Sequence, residues 1–421
     1  MAKFIIKGGN PLRGEITVAG NKNAALPVIA ATALTDQECL LENVPRIRDV
    51  LVMLEILESI GKEVHFTDKN TVTIRGHIKR SALQKSETGR LRASILYLGG
   101  LLMKTGEVYL PPPGGCVIGR RKLDSHFDVL ESFGAEILTD DDGFKAVIKK
   151  PQPAALFLKE ASVTATENAM LIDAAVPGKT IIENAAAEPH VTDLGYVLQK
   201  MGAKIDGLGT NRLLISGHKN LSGFHHRIMP DHIEAGTFAI AAACTGGDLL
   251  IKDAEKEHLK MTRFYLEQMG VSIKDIENNI IRVKPSMLIS NIKKIQVGLW
   301  PGFPTDLMSP MIVLATQATG TTLCHDWMYE SRMFFVDKLI LMGANITQCD
   351  PHRVLVSGPT RLRGQELSSP DIRAGIALVI AAMTASGKSE INQVELVDRG
   401  YEDIDERFKA AGADIIRESD E

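Results

Sequence analysis

One phrase recurs six times along this chain, and a sequence that repeats itself at such a period folds as a set of like units. The phrase is an apolar helix end, a glycine and a short strand. It reads ESIGKEV around Gly61, ESFGAEI around Gly134, QKMGAKI around Gly202, EQMGVSI around Gly270, LMGANI around Gly343 and KAAGADI around Gly412. The glycines stand 68 to 73 residues apart. Each falls where a helix stops, the position that favours a left-handed backbone. A second phrase runs in the same phase, an Ala-rich apolar stretch followed by a turn and a strand. Its copies are Asn23–Leu34, Arg92–Met103, Thr166–Val176, Ile233–Cys244, Asp306–Thr316 and Ile372–Thr384. They have almost no polar face, and a helix that is apolar all round is buried.

Strands are expected after the Ala-rich stretches, as at Cys39–Glu42, Glu107–Leu110 and Thr180–Glu183. Others are expected after the glycine phrases, at Thr71–Ile74, Phe144–Ile148, Arg212–Ile215, Ile280–Val283 and Arg353–Val356. The unit therefore reads βαβαββ. The sixth copy stops short at Glu421, and its missing strand is expected at the other end of the chain. Phe4-Ile5-Ile6-Lys7-Gly8-Gly9 resembles Leu214-Ile215-Ser216-Gly217 and Leu355-Val356-Ser357-Gly358. Two α/β domains of three units follow. One is 22–229; the other is 1–21 with 230–421, completed by the N-terminal strand. The chain is expected to cross near Gly20–Asn21 and Met229–Pro230.

Charge and cysteine usage narrow the function. Lys plus Arg is 48 against 52 Asp plus Glu, for a net charge of −4, so no large basic surface for nucleic acid is expected. The longest apolar run, Ala374–Ala385, is too short to span a bilayer, and no apolar signal follows Met1. A cytoplasmic protein is the expectation. The five cysteines, Cys39, Cys116, Cys244, Cys324 and Cys349, are scattered and form neither a disulfide framework nor a zinc knuckle. One of them stands out. Leu110–His126 reads LPPPGGCVIGRRKLDSH, with Cys116 after two glycines and with Arg120 and Arg121 close behind. Positive neighbours stabilise a thiolate, which marks Cys116 as a candidate reactive cysteine. The other four lie in apolar strands or helix ends, where they are expected to be shielded.

Polar residues begin the buried helices: Lys22 and Asn23, Arg92, Asp231 and His232, Asp306, and Asp371 with Arg373. Helix N-termini attract anions. Lys22, Arg92, Arg121, Arg332, Arg373 and Arg399 add full positive charges, so a small, phosphorylated polyanion is the implied ligand. Other motifs fail. Ser386-Gly387-Lys388-Ser389 resembles the end of a P-loop but lacks its first glycine, where Ala382 stands. His225-His226 has no metal-ligand partner at helical spacing.

Seven stretches match one family: Asn21-Lys22-Asn23-Ala24-Ala25, Leu91-Arg92-Ala93-Ser94, Gly114-Gly115-Cys116, Phe303-Pro304-Thr305-Asp306, Glu330-Ser331-Arg332, Asp371-Ile372-Arg373 and Asp398-Arg399-Gly400-Tyr401. Over essentially its full length the chain resembles the UDP-N-acetylglucosamine enolpyruvyl transferases (1-carboxyvinyltransferases). The resemblance implies the inside-out α/β barrel shared with EPSP synthase. It implies transfer of the enolpyruvyl group of phosphoenolpyruvate to the 3-hydroxyl of UDP-N-acetylglucosamine, with release of phosphate, the committed step of peptidoglycan precursor synthesis. By resemblance Cys116 is the acid that protonates C3, and Asp306 takes the hydroxyl proton. Lys22, Arg121 and Arg399 grip phosphoenolpyruvate, and Arg92, Arg332 and Arg373 support the same anionic site. Asn23 holds the sugar; Ser162, Val163 and Met328 are further substrate contacts; Asp371 is a second acid/base. No metal and no organic cofactor is implied. The partners are the two small-molecule substrates, and no oligomeric state is implied. Ligand is expected to draw the two domains together, with Pro111–Arg121 as the lid, and fosfomycin is expected to alkylate Cys116.

Departures from the family pattern fall in the nucleotide-reading part. The typical Arg-Pro-x-Asp-Leu-His is here Arg121-Lys122-Leu123-Asp124-Ser125-His126, and the usual Ser-Val-Gly-Ala-Thr is Ser162-Val163-Thr164-Ala165-Thr166. His232 stands where Arg is common and His190 where Glu is common. Two alternatives therefore remain beside the leading reading: the same chemistry on another nucleotide or sugar acceptor, and a non-catalytic paralogue that binds sugar nucleotides.

Overall fold

The computed structural model describes residues 2–114 and 123–419. Within these, the chain forms two compact units. One contains 2–19 and 230–419, the other 20–114 and 123–229.

Six small sheets carry the repeat, and five of them share one plan. A short strand lies parallel to the strand that follows the buried helix, and two antiparallel strands continue outward. In the second unit of the repeat the sheet has three strands, Glu107–Leu110, Gly143–Val147 and Glu136–Asp140. The fourth place is held there by a single bridge from Ala82 to Tyr109, because the chain turns directly into the helix Lys85–Thr88. The first strand, Ala2–Lys7, pairs antiparallel with both Lys388–Asn392 and Asp414–Ser419. The chain's beginning thus supplies an inner strand of the sheet built from its end.

The Ala-rich stretches are helices with no exposed face. Ile372–Thr384 has twelve of its thirteen residues buried, from Ile372 to Met383. In its unit it packs with His232–Cys244 and Met308–Gln317. In the other unit Tyr97–Thr105 lies against Lys22–Ala31 and Val163–Ala174. Alanine and glycine let these backbones approach, and each buried Leu, Ile or Val contributes about 1.5–3 kcal/mol. The helices are inside and the sheets cover them. Two of the expected helices begin differently. Arg92–Leu96 and Thr305–Leu307 are tight 3₁₀ turns that lead into helices starting at Tyr97 and Met308. Each unit of the repeat has a second, amphipathic helix, such as Pro189–Met201, ended by the recurrent glycine. All six of those glycines have φ between 81° and 118°.

The shielding expected for the cysteines holds for Cys39, Cys244 and Cys324, which are buried, and not for Cys349, which is exposed. In the strand Asn345–Asp350 the inward face carries Ile346, and Cys349, three residues on, falls on the outward face with Asn345 and Thr347, at a register shift between Gln348 and Asp350.

Candidate active site

The unit formed by 2–19 and 230–419 brings three of the sequence-selected residues into one cluster. Asp306 lies in the turn Thr305–Leu307, and its side chain is 26% exposed. Arg373 opens the buried helix Ile372–Thr384, and Arg332 lies within a run of turns, 330–335, beyond the strand Gly320–His325. Nη2 of Arg373 lies 2.7 Å from Oδ2 of Asp306, and Nη2 of Arg332 lies 3.3 Å from Oδ1. Both guanidiniums are buried, while the carboxylate they share is partly open. A buried cation without a counter-ion is costly, so the acid and the two arginines fix one another. Burial works against the charge of Arg373, but Asp306, Tyr401 and Asp231 hold its pKa above the usual arginine value.

Supporting side chains surround this clamp. Nη1 of Arg373 donates to the hydroxyl of Tyr401 at 3.1 Å, and that oxygen also meets the Thr237 hydroxyl at 3.1 Å. The tyrosine's pKa is raised by burial. Arg332 stands 5.2 Å from the centre of the Tyr329 ring. Thr305 donates its hydroxyl hydrogen bond to Asp326, a carboxylate with no solvent exposure. Met328 is half-buried, and its backbone N–H donates to Asp326 at 3.0 Å.

Asp371 is placed as a helix cap. Its Oδ1 accepts from the N–H groups of Arg373 and Ala374, at 2.7 and 3.0 Å. Asp231 does the same for His232–Cys244, accepting from Ile233 and Glu234. The reading of all these helix starts as open anion sites is corrected at both positions, because a carboxylate of the chain already occupies the first-turn donors. Burial raises Asp231 to about 6, with Arg373 opposing the shift. Arg399 is half-buried in the segment after the turn Val394–Leu396.

The other unit holds the remaining residues. Lys22 begins the helix Lys22–Ala31, capped by the Asn21 side chain, and its Nζ lies 2.9 Å from Oδ2 of the buried Asp49. Asn23 and Arg92 are half-buried near the starts of their helical segments. Ser162 caps Val163–Ala174, accepting from the N–H of Ala165, with Val163 as the first helical residue. The departures from the family pattern are partnered here. Oγ of Ser125 donates to Glu160 at 3.0 Å. Nε2 of His126 meets Oγ1 of Thr164 at 3.1 Å, and its Nδ1 meets the Asn168 amide nitrogen, also at 3.1 Å. Asn168 uses Oδ1 to accept from Gly99, so its nitrogen faces the imidazole. Nδ1 is then the acceptor, and Nε2 carries the proton and donates to Thr164. Burial, with the charge of Arg92 adding to it, pushes His126 down to about 3, so it is neutral.

Cys116, Arg121 and Lys122 lie outside the described residues. Reading the sequence missed Asp326, Thr237 and Asp49, and gave Thr305 and Tyr401 no role of their own. Among the described residues no three His, Cys, Asp or Glu side chains are grouped as a metal site, and no helix is long and apolar enough to cross a membrane.

Residues 6–408 match the family model of EPSP synthase (3-phosphoshikimate 1-carboxyvinyltransferase). The chain is 48% identical to a Treponema denticola protein named UDP-N-acetylglucosamine 1-carboxyvinyltransferase, over 99% of each chain. It is 47% identical to the protein of that name from Bradyrhizobium diazoefficiens, over 99% of this chain and 98% of the other. The crystal structure of the enolpyruvyl transferase NikO from Streptomyces tendae superposes with a TM-score of 0.90 at 24% identity, covering 99% of this chain and 98% of that one. EPSP synthase from Acinetobacter baumannii superposes at 0.77 with 20% identity and full coverage of both chains. The chain belongs to the EPSP synthase family of carboxyvinyltransferases, and its fold is that of the enolpyruvyl transferases.

Proposed function

We propose that this chain transfers the enolpyruvyl group of phosphoenolpyruvate to the 3-hydroxyl of UDP-N-acetylglucosamine and releases phosphate, the committed step of peptidoglycan precursor synthesis. The observation that carries the reading is the Asp306 carboxylate, partly open to solvent and held by two buried guanidiniums. It stands in a chain whose relatives of 47–48% identity carry that enzyme's name. A carboxylate fixed in this way can take a hydroxyl proton while adjacent cations receive an anionic substrate.

The reaction needs a bond from the sugar oxygen to C2 of phosphoenolpyruvate and a proton on C3. Loss of phosphate from C2 and of a proton from C3 then restores the double bond. Asp306 takes the hydroxyl proton and Cys116 delivers the proton to C3. A thiol suits that step because its unperturbed pKa, about 8.5, is near neutrality. Lys22, Arg121 and Arg399 hold the phosphate and carboxylate, supported by Arg92, Arg332 and Arg373. Asn23, Ser162, Val163 and Met328 contact the acceptor. Asp371, as the cap beneath Arg373, orients that arginine. Cys116 and Arg121 enter on the sequence alone. The enzyme works in the cytoplasm. Phosphate release is the test: it should require phosphoenolpyruvate and UDP-N-acetylglucosamine together, and release with either alone would overturn the reading.

A second acceptor remains in view because of one contact. The Thr164 hydroxyl is bonded to His126 where the family pattern has glycine. A panel of nucleotide sugars separates the two readings, since a preference for another sugar or base would favour the second.

A further inference from the structure

Asp326 follows directly on the strand Gly320–His325, and its carboxylate is shut off from solvent. Oδ1 accepts from the N–H groups of Met328 and Tyr329, at 3.0 and 3.3 Å. Oδ2 accepts from the hydroxyl of Thr305, the residue before Asp306. The same Oδ2 stands 3.8 Å from Nε of Arg332, too far for a hydrogen bond, and that Nε is buried with no acceptor. At its other end Arg332 reaches Asp306 at 3.3 Å, a long contact beside the 2.7 Å of Arg373. One guanidinium is divided between two carboxylates and closes fully on neither. An orphaned buried donor is unfavourable, so the arrangement persists only because each acid holds part of the charge.

We propose that Asp326 is a positioning residue for Asp306. By drawing Arg332 toward itself it limits how tightly that arginine pairs with Asp306, and so keeps the Asp306 carboxylate basic enough to accept a proton. The Thr305 hydroxyl tempers this pull by occupying Oδ2. The inference rests on reading Asp306 as the base. Charged or titratable groups facing the set among the described residues include Arg373 on Asp306, Asp231 and Tyr401 on Arg373, the Tyr329 ring by Arg332, and His352, whose Nδ1 lies 2.8 Å from the Asp326 carbonyl oxygen. All of them stay in place in the variants below.

The test is carboxylate-carbon NMR of the full chain labelled at aspartate. The Asp306 signal is assigned by its loss in Asp306→Asn, and its titration midpoint is followed across the acid range. Asp326→Asn keeps an oxygen for the Met328 and Tyr329 N–H groups and removes only the charge. Arg332 then closes on Asp306, whose proton affinity should fall about three- to tenfold, with kcat falling in step. Thr305→Val frees Oδ2, so Nε of Arg332 moves onto Asp326 and the Asp306 affinity should rise by a similar factor. Asp326→Glu keeps the charge and should restore the midpoint. A purely structural acid would lower stability in both variants and leave the midpoint unmoved. An unmoved midpoint, or shifts of the same sign in Asp326→Asn and Thr305→Val, overturns the proposal. Should Asp326→Asn fail to fold, Thr305→Val decides alone: an upward shift supports the proposal and no shift overturns it. Wild-type turnover in Asp306→Asn would instead remove Asp306 from the reaction, and the underlying reading with it.

Discussion

Arg373 and Asp306 are joined by a 2.7 Å contact from Nη2 to Oδ2, while the other amino group of the same guanidinium bonds Tyr401 at 3.1 Å. The planar fork serves two partners at once. A lysine ammonium carries the same charge on a single point and cannot reproduce that geometry. Arg373→Lys should therefore fold and lose about 10²-fold in kcat/KM through misplacement of the base. Asp306→Asn should lose about 10²–10⁴-fold in kcat, the range for removing a general base. Steady-state kinetics on both variants is the check, and wild-type values for Arg373→Lys would show that the clamp has no part in turnover.

Acid should destabilise the unit that carries His126. Its folded-state value, about 3, lies below the free value of 6.5, so the folded protein resists protonation there. The stability contributed by the neutral imidazole is fully present above about 6.5 and is lost as pH falls toward 3. The full shift corresponds to roughly 4–5 kcal/mol. His126→Gln keeps a hydrogen-bonding side chain without the titration. Its urea midpoint should fall less between neutrality and pH 4 than that of the parent. Equal declines would mean that His126 is not buried as a neutral ring.

Much of this molecule is legible in its sequence because the repeat is written twice in each unit. A glycine marks the end of each outer helix, and an Ala-rich stretch marks each buried one. The strand bounds agree within a residue or two, as at Arg212–Gly217 and Ile280–Lys284. What escaped was set by contacts between distant residues. Asp326 pairs with Thr305 and faces Arg332, and no local pattern announces either contact. A weak signal did exist. Asn43, Asn184, Asp253 and Gln393 hold the place just past the same strand in four other units, all with φ between 56° and 59°. Asp326 holds that place without a left-handed backbone, and its carboxylate is used for something else. Cys349 escaped for a different reason: it is an odd number of residues from the buried Ile346 and so falls on the outward face of its strand.

Cysteine reactivity follows from these placements. Burial pushes the Cys39 thiol up to about 11 and the Cys324 thiol up to about 12, and it raises Cys244 as well. Those three should resist modification in the folded protein. Exposed Cys349 should react with a neutral alkylating reagent, as should Cys116. The anionic epoxide fosfomycin should discriminate between the two, because Cys116 is followed by Arg120 and Arg121 and Cys349 by Asp350. Peptide mass spectrometry should find the fosfomycin adduct on Cys116 alone, formed faster with the sugar nucleotide present. An adduct on Cys349 in preference to Cys116 would overturn the role given to the glycine-flanked loop.

The most direct measurement is of the acceptor itself. Incubated with phosphoenolpyruvate and the enzyme, UDP-N-acetylglucosamine should be recovered carrying an enolpyruvyl ether on its 3-hydroxyl, identified by mass spectrometry and NMR, in amounts equal to the phosphate released. Phosphate release with the sugar nucleotide recovered unchanged, or binding of both substrates with no product under any condition, would contradict the assignment of this chain as the transferase.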